Sequence, residues 1–118
     1  MTLQELANHW EVSPKEAAEI VEFMNKRYSL EVRPVSKNTW KWVLYAYDPR
    51  NKYLLMEPKQ LFSTTADAIR TAQGMKMTPG QAKLMGVPMD AWLALTPKIK
   101  SAPKTNAKLR FNKGPKTI

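Results

Sequence analysis

The sequence predicts an α+β fold, and three observations predict it. Apolar residues recur at helical spacing toward both ends of the body, around residues 3–24 and 66–92. Between them, residues 40–47 are rich in aromatic and β-favouring side chains and alternate with the two-residue period of a strand. The last 22 residues contain three Pro, seven cations and only scattered apolar side chains. The expected order is helix–helix–sheet–helix–helix–tail. Residues 1–96 form one α+β domain, and residues 97–118 form a basic, extended and flexible C-terminal arm.

Each element has a local reason. Thr2-Leu3-Gln4-Glu5 is a capping box, with the Thr hydroxyl and the Glu carboxylate each satisfying a free backbone N–H. Leu3, Leu6, Ala7 and Trp10 then make one apolar stripe. Ser13-Pro14-Lys15-Glu16 repeats the capping box, with Pro at the first helical position. Ala17, Ile20, Val21 and Met24 carry the inner face of that second helix. Residues 30–35 predict a first strand whose Pro34 favours a sheet edge. Ser36 to Thr39 is a turn, residues 40–47 are the second strand, and Asp48-Pro49-Arg50-Asn51 is a turn with Pro at its second position. Residues 52–56 return as a third strand. The expected sheet is therefore a three-stranded antiparallel meander, packed on the helices through Trp40, Trp42, Leu44 and Ala46. Thr64 opens a helix that Gly74 stops, and Thr78-Pro79 opens a short one ending near Gly86. Five of the seven Met fall between Met56 and Met89, where their flexible side chains suit irregular core gaps or an adaptable docking surface.

Composition bounds the function. The chain has 118 residues, 43% of them hydrophobic, which suits one domain with a modest core. It has no Cys, which excludes disulfides and thiolate metal sites, and its only His is His9. No nucleophile–base–orienter set, Ca²⁺ loop or phosphate-cradling glycine loop is present. No apolar run reaches the roughly 18–20 residues of a membrane span, and the acidic start is unlike a secretion signal. The expectation is a non-catalytic binding protein without cofactor, metal or membrane partner, acting in the cytoplasm.

The net charge of +9 is uneven. Lys98, Lys100, Lys104, Lys108, Arg110, Lys113 and Lys116 lie in the arm, which has no acid, so the body is nearly neutral. A chain segment of this composition buries too little surface to offset its entropy, and spaced cations suit a polyphosphate backbone. An acidic protein, an anionic membrane surface or mere solubilisation are the competing explanations.

Two short helices joined by Glu11-Val12-Ser13 and followed by a hairpin resemble the helix-turn-helix and winged-helix DNA-binding modules of bacterial and phage regulators. Leu6-Ala7, Val12, Ser13-Pro14 and Ile20 carry the resemblance, with Ser13 and Lys15 at the start of the reading helix. Glu11 stands where the family usually places Gly. The resemblance implies a DNA-binding accessory or regulatory protein of phage type with a wing-like hairpin, one that regulates transcription. The reading helix also carries Glu16, Glu19 and Glu22, which repel phosphates. Residues 78–95 resemble the same pattern in phage repressors.

The segment 37–52 mixes Lys37, Lys41, Arg50 and Lys52 with aromatics. Tyr45 and Tyr47 share the face of Lys41, opposite the two Trp, and are the expected stacking residues of a nucleic-acid surface. The main expectation is a nucleic-acid-binding protein, DNA before RNA, that grips phosphates through the arm and this hairpin. The alternative is a protein-binding modulator of a host enzyme or defence complex, acting through Glu16, Glu19 and Glu22 and the Met-rich back. A third is a virion component whose arm touches packaged genome.

Overall fold

A computed structural model describes residues 1–101. Four α-helices and a four-stranded sheet make up a mixed α+β body. Helix α1 spans Leu3–Trp10 and has the capping box: Glu5 N–H donates to Thr2 Oγ1 at 3.1 Å, and Thr2 N–H donates to Glu5 Oε1 at 2.7 Å. It ends at Glu11, which adopts the left-handed conformation at φ 58°. That is the position where a glycine is at ease and a β-carbon is crowded. Glu11→Gly is therefore expected to raise unfolding free energy by about 0.5–1 kcal/mol, the relief of that crowding less the extra freedom of Gly in the unfolded chain. Urea midpoints at constant m-value check this.

Helix α2 (Pro14–Arg27) starts under a Ser13 cap, where the Glu16 N–H donates to Ser13 Oγ at 3.1 Å, and runs directly into β1 (Tyr28–Ser36). Strands β2 (Thr39–Asp48) and β3 (Asn51–Met56) complete the expected meander. Helix α3 (Thr65–Gln73) is capped by Thr64 and helix α4 (Pro79–Met85) by Thr78, each through a side-chain oxygen accepting an N–H three residues on. Gly86, at φ 71°, ends α4 in the left-handed conformation, as a helix C-terminus favours.

Three expectations change. The sheet has four strands, not three, in the order β3-β2-β1-β4. The added β4 (Lys98–Ile99) lies in the segment expected to be a free arm. It pairs in parallel with β1 through Glu31–Lys98 and Val32–Ile99, and the Lys100 N–H donates to the Val32 carbonyl at 2.8 Å. β1 is thus not an edge along its whole length. Its Pro34 is tolerated because β4 reaches only Glu31 and Val32, so no strand on that side needs the missing N–H. Lastly, residues 88–95 contain a 3-10 helix (Ala91–Ala94), whereas the resemblance of residues 78–95 to the repressor pattern implies an α-helix there.

The core lies between one sheet face and the helices. Leu30, Val32, Trp42, Leu44 and Ala46 meet Met24, Ala68, Ala72, Ala82, Ala91 and Trp92. The small alanines bring the helices close to the sheet, and Trp92 packs edge-on to Tyr28 with ring centroids 4.9 Å apart. Met77 is buried in this core and Met75 and Met85 pack against it, whereas Met56 and Met89 are exposed.

Candidate nucleic-acid interface

The other sheet face carries the site. Strand alternation and register put Ser29, Glu31 and Arg33 of β1 beside Lys41, Val43 and Tyr45 of β2. Lys52 and Leu54 of β3 stand opposite Tyr47 and Tyr45, and Lys98 of β4 stands opposite Glu31. Tyr45, Tyr47 and Lys41 share this face as the alternation predicts.

At its centre is a residue that strand alternation alone does not single out. The Glu31 side chain is only 1% exposed, with Oε1 accepting from Arg33 Nη2 at 2.6 Å and Oε2 accepting from Lys52 Nζ at 2.5 Å. Burial would raise its carboxyl pKa, but hydrogen bonds and charge from Lys52 and Arg33 outweigh burial and hold it below its ordinary value. Lys52 Nζ also sits 4.3 Å from the centre of the Tyr45 ring, a cation–π contact that occupies one face of that ring. Tyr45 as a whole is half-buried. Lys98 Nζ donates to Ser29 Oγ at 3.3 Å. Lys41 pairs with Glu57 at 2.7 Å on the exposed rim. The outer face thus has its main anion sunk beneath its cations.

The structure does not gather every expected cation. Lys37 lies in the β1–β2 turn and Arg50 in the β2–β3 turn, at opposite ends of β2. Ten residues of strand separate these turns by roughly 30 Å. Both are exposed, and among the described residues neither has a carboxylate within ion-pair distance. Tyr47 reaches the rim, where it joins Arg27, Tyr53, Leu55 and Gln81 around a shallow cavity of about 200 Å³. Lys100 is exposed just past β4. Lys104, Lys108, Arg110, Lys113 and Lys116 lie outside the described residues.

The helical layer carries exposed carboxylates on α2, balanced there by Lys15, Lys26 and Arg27. Ser13 is spent capping α2, and Lys15, Glu16, Glu19 and Glu22 are exposed along it. Glu22 pairs with Lys26 at 3.4 Å. Glu16 and Glu19 border a cleft of about 280 Å³ floored by Ile20, Phe23, Met85 and Val87.

His9 joins a second cluster, formed by residues 80 and more positions apart. Its Nε2 lies 2.6 Å from Asp90 Oδ2, while Trp10 Nε1 donates to Asp90 Oδ1 at 2.9 Å. This ties α1 to the entry of the 3-10 helix. Burial pushes the Asp90 carboxyl up, but the hydrogen bonds from His9 and Trp10 win and lower its pKa from the ordinary 3.8. A carboxyl with a depressed folded pKa contributes fully above its unfolded value and loses that contribution as pH falls through the folded one. Asp90 and Glu31 should both therefore weaken the fold in acid, below about pH 4. Asp90→Asn is expected to destabilise at pH 7 and to flatten the acid limb of stability against pH, measured by urea unfolding from pH 7 to pH 2.5.

Among the described residues no three His, Cys, Asp or Glu side chains come close enough to hold a metal ion, and no helix is long and apolar enough to cross a membrane. No family model, curated protein or solved structure matches this chain.

Proposed function

We propose that this protein binds nucleic acid through the outer face of its sheet, aided by the basic arm, in a binding and not a catalytic role. One observation carries the reading. Arg33, Lys41, Lys52 and Lys98 surround Tyr45 and Tyr47 on one face whose central carboxylate, Glu31, lies below the surface. Such a face offers phosphates a positive field and bases two aromatic rings, the combination that single-stranded chains use. The exposed carboxylates of α2 sit on the helical layer, where Lys15, Lys26 and Arg27 balance them, so that side is close to neutral and the sheet face is the more attractive to a polyanion. Insertion of α2 into a groove is disfavoured by Glu16, Glu19 and Glu22, so the reading does not depend on the helix-turn-helix resemblance.

The test compares two charge changes in the full chain. Lys41→Glu with Lys98→Glu should weaken binding of a labelled oligonucleotide tenfold or more, and lower the salt slope by about 1 per lysine lost. Glu16→Lys with Glu19→Lys should change it little. Equal affinity for wild type and the first pair, with the fold intact by melting, rejects the sheet face.

A second reading has its own observation, the acid-rimmed cleft between α2 and the end of α4. It fits a basic, apolar peptide of a partner protein. Co-elution that survives nuclease treatment and is lost in Glu16→Lys/Glu19→Lys would favour it.

A further inference from the structure

Strand β3 is one open edge of the sheet, and all six of its residues are exposed. Tyr53, Leu54, Leu55 and Met56 are each more than 40% exposed, and Leu61 just beyond is 51% exposed. Alternate residues of an edge strand direct N–H and C=O groups away from the sheet, ready to pair with another strand. Natural edges are guarded by inward charges, Pro, bulges or shortness. β3 has a single charge, Lys52, and it is already held by Glu31. Its irregularity is confined to the Leu54–Met56 step. The opposite edge, β4, is two residues long and offers no comparable template.

We propose that the β3 edge pairs antiparallel with the β3 edge of a second copy of this chain. The strand is complementary to itself. With the two-fold axis at Tyr53, Tyr53 faces its own copy on the helix side, and Lys52 faces Leu54 of the copy on the outer side. With the axis at Leu54, Lys52 faces Met56. Neither register opposes like charges, and each lays the Lys52 stem along an apolar side chain. A two-fold axis normal to the sheet keeps both cation faces on the same side, so pairing joins two four-stranded sheets into one continuous basic platform. The pairing itself is independent of the nucleic-acid reading; only the value of a doubled platform rests on it.

The edge is narrower than a standard interface of roughly 800 Å² per partner, so the association should be weak and concentration-dependent. Pairing sets two basic faces side by side. Added salt should screen that repulsion and strengthen the dimer, whereas salt weakens nucleic-acid binding. The two properties thus carry opposite salt signatures.

Sedimentation of the full chain, at up to about 1 mM protein and at low and high salt, reads the equilibrium. The expected result is a monomer–dimer equilibrium that tightens with salt, and more than tenfold loss of association in Leu54→Lys with an unchanged melting temperature. Because the chain has no Cys, a single Tyr53→Cys or Leu54→Cys reports the axis directly. Directly opposite residues of an antiparallel pair lie about 4.5–5.5 Å apart, within disulfide reach, so whichever of Tyr53→Cys and Leu54→Cys lies on the axis should oxidise to a covalent dimer much faster than Lys37→Cys. A monomer at every concentration and salt overturns the proposal, as does a dimer indifferent to Leu54→Lys or one in which neither Tyr53→Cys nor Leu54→Cys oxidises faster than Lys37→Cys. A monomer that still binds oligonucleotide leaves the proposed function standing. A salt-strengthened dimer that binds none leaves only the pairing.

Discussion

Replacing Glu31 by alanine is expected to destabilise the fold by about 3 kcal/mol and, at the same time, to tighten nucleic-acid binding. The destabilisation follows from burial. The side chain is 1% exposed and both oxygens accept charge-assisted hydrogen bonds, so its loss leaves a void and two cations without a counter-charge. Arg33 and Lys52 are 42% and 40% exposed, so they rehydrate, which holds the cost below that of a fully buried pair. For a body of this size each kcal/mol moves the melting temperature by roughly 4–8 °C, so the change is easily seen. The gain in binding follows from the same geometry, because Glu31 competes with phosphate for Arg33 and Lys52. Glu31→Gln, which keeps the volume, should show a smaller stability loss and a similar gain in binding. The converse change, Arg33→Met with Lys52→Met, strands a buried carboxylate. It should cost about 3–5 kcal/mol at neutral pH and less in acid, where Glu31 takes up a proton. Stability that is unchanged in Glu31→Ala would mean that the ion cluster is decoration on the sheet.

Removing residues 102–118 is expected to lower affinity for oligonucleotides strongly without unfolding the body. The cut belongs after Ser101 and not after Thr96, because Lys98 and Ile99 are part of the sheet. Five cations leave with the removed segment: Lys104, Lys108, Arg110, Lys113 and Lys116. If all seven cations from Lys98 onward dock on duplex DNA, log K against log salt slopes at about −6, and losing five should bring the slope to about −2 from this part of the chain. At physiological salt such a loss amounts to several orders of magnitude in affinity. Unchanged melting with sharply reduced binding separates a binding arm from a folding element. Binding that survives the cut at full strength assigns the affinity to the body alone.

The elements whose causes are local were legible in the sequence. The caps at Thr2, Ser13, Thr64 and Thr78, the stops at Gly74 and Gly86, and the inward Trp42–Leu44–Ala46 stripe all depend on neighbours a few positions away. Features made by distant residues were not. Strand β4 is two residues long in a Pro-flanked basic stretch, and it exists only because β1 offers a free edge about 65 positions earlier. Glu31 looks like an ordinary strand charge until Lys52, 21 positions on, is brought across β2 to it. Hairpin cations that the sequence presents as free are partly engaged: Lys52 holds Glu31 and Lys41 holds Glu57. His9 and Asp90 meet across 81 positions. The alternation that puts Tyr45 and Lys41 on one face was readable; the ammonium of Lys52 lying on the Tyr45 ring was not. A charge four or more strand positions from its partner leaves no periodic trace, because sheet register is fixed by the turns and core and not by the ion pair itself.

The most direct measurement of the sheet face as a polyanion surface is the salt dependence of oligonucleotide binding by residues 1–101, which keep the face and lack most of the arm. With Lys41, Arg50, Lys98 and Lys100 docking, log K against log salt on a single-stranded oligonucleotide should fall with a slope near −3, and Lys41→Glu/Lys98→Glu should flatten it to about −1.5. A slope of zero, or one that the double variant leaves untouched, would contradict a nucleic-acid face on this sheet.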